Sequence, residues 1–201
     1  MALVFLLRID SLSLAAGAKV VASAGYLATA TSVGALQHRY GRIIFIGLLL
    51  SFAGDMMLMG VSQGRFLLGL GSFLLAHLAY ITAFTTLGLN RKWALVSALP
   101  VLLSAAAVTL WLTPYLAPHL IMPVHAYIGV ISLMVLAAFA SKGAGASTLI
   151  VAGALLFFVS DLSVAAQRIV GVDFPTFIWG LPLYYAGQIC LALSASQSSS
   201  Q

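Results

Sequence analysis

Between Trp93 and Ser141 the chain carries no Asp, Glu, Lys or Arg. A membrane-crossing helix takes about 20 residues, so this one stretch holds two spans, divided by the turn residues Thr113-Pro114 through Pro118-His119. No chain facing water on all sides tolerates such a run. The rest repeats the pattern: 62% of the 201 residues are hydrophobic, 6% are charged and the mean hydropathy is +1.11, where ordinary proteins carry roughly 25% charged residues. These values exclude a water-soluble, disordered, collagenous or disulfide-stapled chain. The single Cys190 permits no intrachain disulfide and does not report a redox compartment.

Backbone groups in lipid must be satisfied within their own segment, and the apolar runs are continuous rather than alternating with period two, so the spans are helices. The expected fold class is all-α, a polytopic membrane bundle of seven spans: 20–37, 43–61, 66–89, 93–112, 121–140, 146–167 and 174–193. Residues 1–201 read as one integral membrane domain of the cell membrane. Within it, 1–19 is a surface segment, a half-helix or the remnant of an eighth span, and 196–201 is a polar tail. The apolar stretch Ala2–Leu7 is too short for a cleavable signal peptide, so the first full span directs insertion.

The charge of +5 is scattered, with Arg91 and Lys92 the only adjacent basic pair, which is no nucleic-acid footprint. Alternating loops put Arg39, Arg42, Arg91, Lys92 and Lys142 on one side and Arg8, Lys19, Arg65 and Arg168 on the other. The small excess favours the first group as cytoplasmic. An internal match adds a second kind of order: Gly47, Leu49, Leu50, Phe52 and Asp55 recur at the offsets of Gly153, Leu155, Leu156, Phe158 and Asp161. The two spans are four apart and run parallel. A two-fold axis along the membrane normal would set both acids at similar depth.

Ionisable residues inside spans mark a function or a paired structural contact. Asp55 lies ten residues before Arg65, Asp161 seven before Arg168 and His77 twelve after Arg65, which places all three roughly 10 to 18 Å below one membrane face at about 1.5 Å per residue. His125 and Tyr184 enter from that face. The expectation is one polar pocket, open to one side and walled by the second, third, sixth and seventh spans. Either aspartate alone reads as well as a buried hydrogen bond or an arginine pairing; two at matched depth favour function. Ser51, one turn before Asp55, and Ser160, beside Asp161, are read as supporting or orienting the carboxylates. Tyr80, Tyr184, Tyr185 and Gln188 read as substrate donors or as packing polars. Arg65 and Arg168 are headgroup anchors at the mouth, where a guanidinium would bind a phosphate, and Asp10 and Asp173 read as solvated. His38 and His119 fall in loops, and there is no HExxH, CxxC or His pair at i, i+4, so neither a metal site nor a cofactor is expected.

Two carboxyls close together in low dielectric cannot both ionise comfortably, so one keeps its proton and the pair becomes an acid and a base. That suits a reaction through an oxocarbenium-like cation on a lipidic substrate.

Four segments carry a resemblance. Ser51-Phe-Ala-Gly-Asp55-Met-Met-Leu58, then Gly69-Leu-Gly-Ser-Phe73-Leu-Leu-Ala-His77-Leu-Ala-Tyr80 ending at Phe84, then Gly153-Ala-Leu-Leu-Phe-Phe-Val-Ser-Asp161, and finally Leu183-Tyr-Tyr-Ala-Gly-Gln188, resemble the YhhN, or lysoplasmalogenase, family over about residues 19 to 193. The resemblance implies a multi-pass enzyme that cleaves the vinyl-ether bond of a lysophospholipid, releasing a fatty aldehyde and a glycerophospho-base. It implies Asp55, Asp161 and His77 as catalytic residues, with Tyr80 following His77. It also implies eight spans, most of the first lacking here. The partners expected are the lysophospholipid and membrane lipid, with the oligomeric state left open. Three rivals stand beside it: a proton-coupled transporter using the same acids, a metal-dependent lipid amide or ester hydrolase, and a structural or regulatory membrane protein.

Overall fold

The computed structural model describes residues 2–60, 62–173 and 175–197, with side chains from Ala16 onward. The span end expected at Val61, the span start at Phe174, the tail from Ser198 and the side chains of Arg8 and Asp10 lie outside these. The helices are α1 (Ala2–Ser32), α2 (Arg39–Leu58), α3 (Gln63–Thr85), α4 (Arg91–Leu112), α5 (Pro118–Gly143), α6 (Thr148–Ala165) and α7 (Phe177–Ser194). Short 3-10 turns follow α1 and α4, and a π-helical turn, Ala166–Val170, extends α6. The described residues contain no strand. Helices α2 to α7, α6 with its π-helical extension, are long and apolar enough to cross a membrane, and the chain is an integral membrane protein.

Helix starts follow local chemistry. The side chains of Ser62, Asn90 and Ser147 accept backbone N–H bonds at the heads of α3, α4 and α6, and Pro118 opens α5, where its missing N–H is harmless. The helix bounds differ from the expected spans by several residues, and three differences are larger in consequence. Residues 2–19 and the expected first span form one continuous helix rather than two segments. His119 lies in the first turn of α5, not in a loop. Helix α2 stops at Leu58, so Asp55 sits three residues, or about 4.5 Å at 1.5 Å per residue, from the end of its helix. The chain between Asp55 and Arg65 is partly a non-helical connection, which does not add helical rise.

The packing forms a ring in the order α1, α2, α3, α5, α6, α7, closed by α7 against α1, while α4 packs chiefly on the outside of α5. The most extensive pairings are α2 with α3 and α6 with α7. Gly47 makes the first possible, because a side chain there would drive into the Tyr80 ring. Gly153, its counterpart in the internal match, lies where a Cβ would meet Leu191 at 2.8 Å and the Gly187 carbonyl at 3.0 Å. Small residues let helices approach where lipid supplies no hydrophobic force between them. Leu95, Val96, Leu99, Leu102, Leu103 and Leu110 of α4 are exposed, whereas Tyr26, Tyr80, His77 and Gln188 are fully enclosed. The ring keeps its polar side chains inside.

Candidate active site

The helices together form a cavity of about 710 Å³, in the range of sites that take one small ligand. One part of its wall is apolar, built from Val108 and Leu112 of α4 with Val124, Ile128 and Ile131 of α5. Against this stand Asp55 from α2 and Asp161 from α6, which line the same cavity together with Lys19, Ser160, Arg168 and Tyr184. All seven helices contribute, so the wall extends beyond the four spans expected and takes in α1, α4 and α5.

The two carboxyls have unlike surroundings. Asp55 Oδ2 accepts three hydroxyl bonds, from Ser23 at 2.7 Å, Tyr184 at 2.9 Å and Tyr26 at 3.2 Å. Behind Tyr184 the chain of donors continues: Gln188 Nε2 donates to the Tyr184 hydroxyl at 3.0 Å, and the Tyr80 hydroxyl donates to Gln188 Oε1 at 3.0 Å. Since the only proton of Tyr80 is used there, Ser51 donates to Tyr80 across 3.2 Å. Every proton in this series points toward Asp55, whose side chain is all but enclosed.

Asp161 is more open. Its Oδ2 accepts one short bond, 2.6 Å, from the Tyr127 hydroxyl of α5, and its side chain keeps 22% of its surface exposed. His77 Nε2 is 2.9 Å from the same Tyr127 oxygen and 3.9 Å from Asp161 Oδ2. With the Tyr127 proton committed to Asp161, His77 must donate from Nε2, and Nδ1 is left without a partner among the described residues. The imidazole is held edge-on against Phe157, with centroids 4.7 Å apart. His77 therefore reaches Asp161 chiefly through Tyr127.

Of the residues singled out in the sequence, Asp55, Asp161, Ser160, Arg168 and Tyr184 line the cavity, while His77, Ser51, Tyr80 and Gln188 stand behind its wall. Ser51 bonds Tyr80 rather than Asp55, and Ser160 bonds back to the Phe157 carbonyl, a local pairing that i−3 geometry offers any helical serine. Arg168 donates from Nη2 to the Leu58 carbonyl at 2.8 Å and the Gly60 carbonyl at 3.4 Å, pinning the α2–α3 connection. Arg65 is exposed and does not line the cavity. His125 bonds Thr113 and the Ile121 carbonyl, away from the acids. The sequence reading missed Ser23, Tyr26, Tyr127 and Lys19. Lys19, Ser23 and Tyr26 do carry a signal, the spacing i, i+4, i+7 of one helix face; Tyr127 carries none. No three His, Cys, Asp or Glu side chains gather at metal-binding distance among the described residues.

A membrane helix bundle that holds two carboxyls at one largely apolar cavity defines the class of this protein. Residues 14–195 match the YhhN family, and the chain belongs to it. It is similar to lysoplasmalogenase TMEM86A of Bos taurus, 34% identical over 177 residues covering 81% of this chain and 69% of the relative, and to lysoplasmalogenase TMEM86A of Homo sapiens with the same identity and coverage. No solved structure matches it at a significant level.

Proposed function

We propose that the protein is a lysoplasmalogenase of the cell membrane, cleaving the vinyl-ether bond of a lysophospholipid to a fatty aldehyde and a glycerophospho-base. The observation that carries this reading is the pair Asp55 and Asp161 at one cavity with unlike hydrogen bonding. The names of the TMEM86A relatives support the reaction class. The apolar wall of α4 and α5 suits the hydrocarbon chain, and the vinyl ether lies between the acids.

Asp161, the more accessible carboxyl, is the acid. It protonates the outer alkene carbon, and the positive charge moves onto the inner carbon and ether oxygen. Asp55, clamped as an acceptor by Ser23, Tyr26 and Tyr184, faces that charge as a carboxylate and takes a proton from the water that attacks the inner carbon. The hemiacetal then collapses: the Asp161 carboxylate removes its hydroxyl proton, Asp55 returns a proton to the departing glycerol oxygen, and both acids regain their starting states. Tyr127, with His77 behind it, orients Asp161. Tyr80, Gln188 and Ser51 hold Tyr184 in place.

The test is aldehyde release from lysoplasmalogen, with fatty acid release from an ester lysolipid measured alongside. Asp55→Asn and Asp161→Asn, each with an unchanged unfolding midpoint, are expected to lose aldehyde release by at least about a hundredfold, in line with loss of a general acid or base. Wild-type rates in either variant would overturn the mechanism.

A further inference from the structure

Lys19 lies one helical turn before Ser23 and two before Tyr26, on the face of α1 that meets Asp55. Its side chain lines the cavity. It makes no ion pair within 4.0 Å and no side-chain hydrogen bond among the described residues. It is not among the three donors to Asp55 Oδ2, which are hydroxyls. Of the arginines of the same membrane face, Arg168 also lines the cavity but spends Nη2 on the carbonyls of Leu58 and Gly60, and Arg65 stands outside the cavity wall. A cation with a flexible stem at the wall of a largely apolar chamber, with no ion pair within 4.0 Å among the described residues, is a site for an anionic group on an otherwise apolar ligand.

We propose that Lys19 is the phosphate-binding residue of the cavity and that it reads a single-chain phospholipid. This rests on the lysolipid reading of the cavity, but not on the vinyl-ether chemistry. The apolar wall of α4 and α5 receives the chain while the ammonium of Lys19 takes the phosphate, fixing how far the chain enters and thereby which bond lies between the aspartates.

The experiment measures binding by the purified protein of a saturated 1-O-alkyl lysophosphocholine, which cannot be hydrolysed at the ether, and of the matching 1-O-alkyl glycerol, which lacks the phosphate. Inorganic phosphate is the third probe. The wild-type protein is expected to prefer the phospholipid by about tenfold or more, the worth of one charge-assisted contact. Lys19→Gln removes that preference by weakening the phospholipid alone, and Lys19→Arg retains it. Inorganic phosphate alone binds weakly and does not displace the lipid. An undiminished preference in Lys19→Gln would overturn the assignment, as would equal weakening toward both lipids, which would mean that Lys19 supports the fold or Asp55. Displacement of the lipid by phosphate at comparable concentration would overturn the lipid as the source of the anion. If Lys19-dependent binding persists while no vinyl ether is cleaved, the reaction falls and this site stands.

Discussion

Tyr127→Phe removes a single oxygen from the cavity wall, and that oxygen joins Asp161, 2.6 Å away, to His77, 2.9 Å away. A hydrogen bond to a charged group contributes about 1.5–3 kcal/mol. Spread over the chemical step at 1.36 kcal/mol per factor of ten, the loss is between about tenfold and about 150-fold in kcat. KM should change little, because the ring that faces the substrate is retained. His77→Gln should produce a loss of similar kind through the same oxygen. If His77 works only through Tyr127, the double variant is no slower than the slower single one, giving an interaction energy as large as a single effect. The assay is aldehyde release at saturating lysoplasmalogen, on variants whose unfolding midpoints in detergent match the wild type. Losses that multiply in the double variant would refute the relay and give His77 a route to the reaction independent of Tyr127.

Ser23→Ala deletes the shortest bond to Asp55, at 2.7 Å, and is expected to lower kcat about tenfold, whereas Ser51→Ala, three bonds further along the donor series, should stay within about threefold, since its removal leaves all three Asp55 donors in place; equal losses would show that the far end of the series is as important as the near one. Gly47→Leu forces a side chain into the Tyr80 ring, and because overpacking costs about 1–3 kcal/mol or more, the purified variant should unfold several degrees lower in a thermal melt. An unchanged midpoint would mean that α2 and α3 are free to separate.

The bundle was legible because lipid leaves the backbone so few choices: the uncharged run from Trp93 to Ser141 and its proline-bearing divide at 113–119 appear as α4, a 3-10 turn and α5. The acids were legible for the same reason, since a carboxyl within a span stands out from its surroundings. Ser23, Tyr26 and Tyr127 do not stand out. Serine and tyrosine are ordinary inside membrane helices, and only the ring order, which sets α1 beside α2 and α5 beside α6, turns them into donors to Asp55 and Asp161. Ser51 illustrates the converse. Its spacing to Asp55 is that of one helix face, but the close approach of α3 at Gly47 brings the Tyr80 hydroxyl within reach, and Ser51 turns to it.

The direction of the polar series also bears on what the acids are for. Asp55 is three residues from the end of α2, and its hydrogen-bonded connections run inward only as far as Ser51, one turn, or about 6 Å of helix rise. Beyond that level the interior is closed by the fully buried Ile44, Leu48, Phe84, Met134 and Ile150. The next buried polar pair on α2, Tyr40 with Ser194, bonds within itself. A carrier that moves protons or solutes between two faces needs polar or hydrated stations along the whole route, because a charge in hydrocarbon is disfavoured by several kcal/mol. An enzyme that takes its substrate from the membrane and water from one side needs only a chamber open at that side. The residues at the cavity, Lys19, Asp55, Asp161 and Arg168, belong to the end of the bundle where α2 and α6 finish, and the apolar plug beneath them favours hydrolysis over transport.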